Sequence, residues 1–169
     1  MTTNRQSAKT HGDARATHER ALRLVPDTGS VEDLVNNVSD AVGRPVVLLP
    51  FDLGRSEPTG LWIATEGGDY VVFPSSASEA ERAAIVCHEL SHILLKHEPV
   101  GEAAQLAQLA AIVAPDINPS VARRILARHG YAQDVEVEAE TLATRLVARL
   151  ATRAERNRLT QDTVSSRLR

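Results

Sequence analysis

Five consecutive residues combine the side chains that bind a metal ion with one that can move a proton. His88, Glu89, Leu90, Ser91 and His92 match the pattern HExxH. On a helix, residues four apart lie on the same face, so both imidazoles can reach one ion at about 2.0–2.1 Å. Glu89 is rotated by about 100° from His88, beside the ion, where its carboxylate can accept a proton from water. The pattern therefore predicts the metal site of a hydrolase.

A catalytic zinc site needs a third protein ligand and one open position. The extended pattern HExxHxxGxxH does not supply that ligand, because Leu95 occupies its glycine position and Glu98 its last histidine position. His97 lies five residues after His92, too far around the helix to share the ion. The third ligand is therefore expected from another segment.

An acidic segment at 134–140 offers such a ligand. Glu136 and Glu140 share a helical face with Ala139 and Ala143, and these small residues allow close packing against the HExxH helix. Glu136 is the expected metal ligand, and Glu140 is expected to orient a ligating histidine. Glu140 as the third ligand stays an open alternative.

Other reactive side chains are predicted to have ordinary roles. Glu138 lies on the far side of its helix and is expected to be solvated, as are His11 and His18 in the polar N-terminal region. Cys87 points away from His88 and is expected to be a small buried hydrophobe.

The helix that carries HExxH has clear boundaries. Ser78 and Glu81 fit a capping box, and the helix is predicted to run to about Lys96. It is apolar on most sides, which indicates a buried central helix. Other helices are predicted over 31–42 between Ser30 and Gly43, over 102–113, over 119–129, and from Asp134 past Arg156.

Three short strands are predicted before the HExxH helix. They are 46–49, ended by Pro50, and a hairpin formed by 61–64 and 70–73. The expected fold class is α+β, with a small antiparallel sheet of about three strands packed on a mainly helical domain. Residues 1–26 are interpreted as a polar, basic arm or helix, 27–157 as the domain, and 158–169 as a basic tail.

Composition places limits on the compartment and partners. The chain has 169 residues and one cysteine, its N-terminus has no apolar signal region, and no apolar run reaches membrane-spanning length. These features predict a cytoplasmic protein. The net charge of −3 argues against a simple basic nucleic-acid binder. An arginine stripe near the C-terminus is interpreted as pairing with the acidic body or, alternatively, as a contact for an acidic partner or DNA: Arg145, Arg149, Arg153 and Arg156.

The order of hairpin, HExxH helix and later glutamate-rich helix resembles the ImmA/IrrE-type metallopeptidases over about residues 31–150. The matching residues of the later helix are Glu136, Ala139, Glu140, Leu142 and Ala143. Glu140 replaces the usual Asn or Asp, Leu142 replaces Phe, and the family's Met-Pro ending is absent. The resemblance implies a zincin-like fold, Zn²⁺, and cleavage of a helix-turn-helix repressor in phage, mobile-element or stress regulation.

The working hypothesis is a zinc peptidase. His88, His92 and Glu136 hold the ion, and Glu89 takes a proton from water and delivers it to the leaving amine. Tyr131, just before the later helix, is the first candidate to stabilise the negative charge on the carbonyl oxygen.

Several alternatives stay open. His129 and Tyr70 are further candidates for the oxyanion donor, and manganese is an alternative to zinc. The substrate is expected to add as an extended strand along 70–73. The competing function is a metal-bearing regulatory module that binds a transcription regulator or toxin partner with little or no proteolysis.

Overall fold

A computed structural model of the chain describes residues 15–51, 60–64, 67–97, 124–127 and 133–167. Within these ranges the fold is α+β, with four helices and one four-stranded mixed sheet. The elements follow in the order α1 (15–24), α2 (Val31–Val42), β1 (Val46–Phe51), β2 (Leu61–Ala64), β3 (Asp69–Pro74), α3 (Glu79–Leu95), β4 (Arg124–Ala127) and α4 (Gln133–Arg167).

The strand order in the sheet is β1-β3-β2-β4. β2 and β3 pair antiparallel, which confirms the predicted hairpin. β1 pairs parallel to β3, so the expectation of a purely antiparallel sheet of about three strands was wrong. Because β3 has a neighbour on each side, residues 70–73 form no free edge. The expected addition of a substrate strand along this segment is therefore wrong as well.

β1 extends beyond its predicted end. Pro50 was expected to terminate the strand, but it lies inside Val46–Phe51 and pairs with Phe73. β1 is an edge strand of the described sheet, and a residue that cannot donate a backbone hydrogen bond is tolerated at an edge.

β4 corrects the prediction of a helix over 119–129. Arg124–Ala127 instead pair antiparallel with Leu61–Ala64, with Ala127 opposite Leu61. Pairing satisfies backbone groups of β2 that would otherwise lack partners in the sheet, and such a non-local gain can override a local helical pattern. The remainder of that predicted helix and the one predicted over 102–113 lie outside the described residues.

Three helices match their sequence signals. The Ser30 hydroxyl caps α2 by accepting a hydrogen bond from the backbone N–H of Asp33, and Gly43 ends the helix in the left-handed region with φ 71°. Ser78 and Glu81 form both bonds of the predicted capping box at the start of α3. α4 begins at Gln133, close to the expected position.

α3 is the central helix of the described core. Its residues from Val86 to Leu94 are all buried, and it packs along α4. α4 meets α3 through small and aliphatic side chains that are almost completely buried, namely Ala139, Leu142, Ala143 and Leu146. This close contact brings the acidic first turns of α4 to the HExxH residues.

The N-terminal region joins this core. Ala21 and Val25 belong to the hydrophobic cluster, and His18 is only 5% exposed, so the expectation that His18 is solvated was wrong. His11 lies outside the described residues. The domain boundaries predicted at 26 and 157 stay predictions, although α4 continues through 157 without a break.

Two members of the arginine stripe bind the N-terminal region. Arg145 pairs with Glu19, and Arg149 pairs with Asp27. Arg149 also donates to the backbone carbonyls of Leu22 at 2.8 Å and Val25 at 2.9 Å. These contacts agree with the interpretation of the stripe as pairing within the protein, at least for these two residues. Among the described helices, none is long and apolar enough to cross a membrane.

Candidate metal centre

The two histidines of the HExxH pattern face one another inside the protein. His88 and His92 lie one turn apart on α3 and are 6% and 0% exposed. Their Nε2 atoms are 3.0 Å apart, with ring centroids at 4.8 Å. Two nitrogen ligands on one tetrahedral zinc ion are separated by about 3.3 Å, so this pair needs little adjustment to share an ion.

Glu136 supplies the third donor from α4. Its Oε2 atom lies 3.4 Å from Nε2 of His88 and 3.9 Å from Nε2 of His92. The three donor atoms all lie within 4.8 Å of one another, and they form a group that could hold a metal ion. Two imidazole nitrogens and one carboxylate oxygen at these separations fit a zinc site with an open position. The structure thus brings together the three residues that the sequence predicts as metal ligands.

Glu140 contacts the other side of His88. Its Oε2 atom lies 3.3 Å from Nδ1 of His88, although the Glu140 side chain is 64% exposed. Oε2 of Glu140 thus lies at the outer nitrogen of His88, where an orienting acid is expected, whereas Nε2 of His88 faces Glu136. A carboxylate at Nδ1 favours the tautomer whose Nε2 atom is free to bind metal.

Glu89 is buried and lines the same pocket as His88, one of the three donors. It is 3% exposed, and it stands next to Gly60, the residue before β2. A Cβ atom built on Gly60 would lie 2.9 Å from Oε1 of Glu89 and 2.4 Å from Cγ2 of Ile85. The absence of a side chain at Gly60 therefore allows the sheet to approach the carboxylate expected to act as the base. Sequence reasoning missed Gly60, and its only signal was a glycine at the entry of a predicted strand.

A pocket of about 300 Å³ opens beside these groups. His88, Glu89 and Glu140 contribute its polar side, and its remaining wall is formed mainly by aliphatic residues, including Ile85 and Val147. The pocket thus joins His88, a member of the donor group, to Glu89, the candidate base.

His97 approaches the centre from behind His92. Its Nδ1 atom lies 2.9 Å from Nδ1 of His92, and its Nε2 atom lies 3.5 Å from Oε2 of Glu138. Among the described residues, His97 is not a member of the donor group, but it contacts His92 directly. Glu138 is 41% exposed and pairs with His97, so the expectation that it is simply solvated was incomplete.

Burial sets the charge preference of the neighbouring histidines. Burial lowers the pKa of His97, while Glu138 opposes that shift. Burial also lowers the pKa of His18, whose Nε2 atom has no hydrogen-bond partner among the described residues. The neutral imidazole is therefore favoured at both positions.

Cys87 and the three candidate oxyanion donors are the remaining residues for which the sequence predicted a role. Cys87 is fully buried, and burial raises the pKa of its thiol to about 12, which agrees with a packing role. Tyr131 and His129 lie outside the described residues. Tyr70 lies on β3, in register with Val47 and Ile63 of the flanking strands.

Comparison of the chain with protein-family models, with curated proteins and with solved structures found no match. The function of the chain is therefore inferred from the donor group itself.

Proposed function

We propose that this chain is a zinc-dependent endopeptidase that hydrolyses a peptide bond in a specific protein target. The supporting observation is that two buried imidazole nitrogens and one carboxylate oxygen lie together, and that one of these residues, His88, lines a pocket with the buried Glu89. Structural zinc sites favour closed ligation rich in cysteine, whereas the three donors found among the described residues leave a fourth position for water and substrate. Two imidazoles and one carboxylate also suit zinc better than manganese.

The residues divide the work of peptide hydrolysis. His88, His92 and Glu136 would hold the ion, which supplies the Lewis acidity that activates water and polarises the peptide carbonyl. Glu89 would accept the proton of the attacking water and pass it to the leaving amine. Its burial against Gly60 holds the carboxylate at one side of the pocket. Tyr131 stays the proposed donor to the carbonyl oxygen.

The resemblance to ImmA/IrrE-type peptidases suggests the class of substrate. We take the target to be a separate helix-turn-helix repressor. Arg153 and Arg156 lie on exposed turns of α4 and are the members of the stripe proposed to contact an acidic partner or DNA. Arg145 and Arg149 are engaged with the N-terminal region and are left out of this proposed surface.

The first experiment measures metal binding and cleavage separately. The purified chain is loaded with zinc and incubated with the regulator encoded beside its gene, with and without a chelator. Wild-type protein should bind one zinc ion and cleave the regulator only when metal is present. Glu89→Gln should retain zinc and lose about 10²–10⁴-fold in cleavage rate.

Glu79→Gln is the matched control, because it makes the same substitution at an exposed position of α3. It should retain both zinc and cleavage. Wild-type protein that binds no zinc, or a Glu89→Gln variant that cleaves normally, would overturn the proposal. A chain that binds zinc and the regulator but leaves every peptide bond intact would instead establish the regulatory interaction module.

A further inference from the structure

The end of α3 folds one more histidine back onto the metal centre. Lys96 adopts the left-handed conformation with φ 56°, which ends the helix. The next residue, His97, then donates its backbone N–H to the carbonyl of His92 at 3.0 Å. This reversal is a common way to end a helix, and here it places the His97 ring edge-on to that of His92, with centroids 5.0 Å apart.

The two rings meet through their Nδ1 atoms. At 2.9 Å one of these nitrogens must carry the proton and the other must accept it, because two lone pairs cannot face each other at that distance. Metal binding through Nε2 of His92 requires that Nε2 be unprotonated. The neutral His92 ring then has its proton on Nδ1, and His97 is the acceptor.

The proton on Nδ1 of His92 also determines which nitrogen of His97 is protonated. If Nδ1 of His97 accepts from His92, the neutral His97 ring carries its proton on Nε2. That atom lies 3.5 Å from Oε2 of Glu138, an ion-pair contact and not a hydrogen bond, so the proton is on the side of the ring that the carboxylate stabilises. The row Glu138, His97, His92 thus has one consistent arrangement of protons, and that arrangement leaves Nε2 of His92 ready to bind a cation.

α4 therefore contacts this histidine group through three acids. Glu136 faces the Nε2 atoms, Glu140 contacts the outer nitrogen of His88, and Glu138 contacts the outer nitrogen of His97. His88 is backed by a carboxylate directly, whereas His92 is backed by a carboxylate through a second imidazole. His92 is fully buried, and the His97 side chain is 8% exposed, so the contact between these two rings is largely shielded from solvent.

We propose that His97, together with Glu138, is a positioning pair that holds His92 in the tautomer and ring orientation needed to bind zinc. The inference rests on the proposed zinc site, and it assigns a role to residues that do not contact the ion. Partners of this kind typically contribute 10-fold to 100-fold in metal affinity.

The test compares two substitutions of His97 by competition for zinc against a chromophoric chelator. His97→Leu removes the acceptor and should weaken zinc binding by about 10-fold to 100-fold. His97→Asn places an amide oxygen near the position of Nδ1 and should bind zinc within a few-fold of wild type. Thermal unfolding of the metal-free proteins checks that both variants are folded.

Equal zinc affinity in the wild type and His97→Leu would overturn the proposal, as would equal losses in the Leu and Asn variants. If the wild type itself bound no zinc, the proposed function would fail first, so the two failures are distinguishable. Cobalt(II) absorption gives a second measurement, since a misplaced His92 ring should change the spectrum of the bound ion in His97→Leu but not in His97→Asn.

A double variant tests whether the effect of Glu138 on zinc affinity requires His97. Glu138→Leu alone should weaken zinc binding, but it should add little in a chain that already carries His97→Leu, because its effect passes through that ring. Glu155→Leu, at an exposed position of the same helix, controls for the lost negative charge. Additive losses in the double variant would overturn the assignment of Glu138 to the pair.

Discussion

Gly60 and Glu89 stand so close that a single methyl group at residue 60 would meet the carboxylate. A Cβ atom there would lie 2.9 Å from Oε1 of Glu89, and 2.4 Å from Cγ2 of Ile85. Both distances are below ordinary van der Waals contact, and Ile85 is β-branched and cannot easily turn aside. The contact couples the entry of β2 to the group proposed as the catalytic base.

Gly60→Ala is therefore expected to impair cleavage more than metal binding. Displacement of Glu89 by about 1 Å should lower the cleavage rate by about 100-fold, and overpacking should cost about 1–3 kcal/mol in unfolding free energy. Gly43→Ala is the matched control: it strains a left-handed residue with open space around it, so it should lower stability without changing cleavage by the folded protein. A Gly60→Ala variant with normal cleavage would show that Glu89 tolerates the shift.

Glu136 and Glu140 should differ sharply in their effect on metal affinity. Glu136→Ala removes a donor that faces both Nε2 atoms and should abolish measurable zinc binding in the chelator competition. Glu140→Ala removes only the contact to Nδ1 of His88 and should weaken binding by about 10-fold, because that carboxylate is mostly exposed. If Glu140→Ala lost more zinc affinity than Glu136→Ala, the third ligand would be Glu140.

The elements and ligands with local signals were predictable from the sequence. α2 and α3 are bounded by capping residues, and the spacing of His88 and His92 places both on one helical face whatever surrounds them. Glu136 could be chosen because small residues at Ala139 and Ala143 marked the face of α4 that packs closely. Each of these inferences needed only a few neighbouring residues.

The features that were missed depend on contacts between distant segments. The parallel pairing of β1 with β3 and the docking of β4 on β2 leave no local pattern, and a helical signal over 119–129 was misleading. Gly60 has no side chain, so its type gave no indication that it contacts Glu89. His97 lies outside the donor group, but its contact with His92 was missed. That contact follows from the left-handed conformation of Lys96, and a lysine gives no sequence signal for such a conformation.

Arg149 is expected to stabilise the N-terminal helix on α4 through the geometry of its guanidinium group. Arg149→Lys retains the charge but cannot reach the carbonyls of Leu22 and Val25 and the carboxylate of Asp27 together. The unfolding free energy should fall by about 1–3 kcal/mol, as measured by urea denaturation. Arg153→Lys, one turn further at an exposed position, should change it by less than about 0.5 kcal/mol. If Arg149→Lys and Arg153→Lys lowered the unfolding free energy equally, the hydrogen bonds from Arg149 to the two carbonyls would contribute nothing to stability.

Asp69 should make the protein less stable as pH rises through the acid range. Its carboxylate accepts a hydrogen bond from Nε1 of Trp62 at 3.0 Å and lies 3.2 Å from Nε of Arg44. Burial nevertheless raises the pKa of Asp69 above its usual value of 3.8, against the lowering effect of both partners. The folded state then holds the proton more tightly than the unfolded state, so this group's contribution is greatest below pH 3.8 and declines as pH rises through the raised pKa.

Asp69→Asn isolates this contribution, because the amide can still accept from Trp62 but does not titrate. Urea denaturation across pH 3 to 7 should show wild type losing stability relative to the Asn variant as pH increases. Asp69→Ala should be about 1–3 kcal/mol less stable than Asp69→Asn at every pH, since it leaves the buried indole N–H of Trp62 without its acceptor. If wild type instead gained on the Asn variant with rising pH, the ion pair with Arg44 would outweigh burial, and the pKa of Asp69 would have to lie below its usual value.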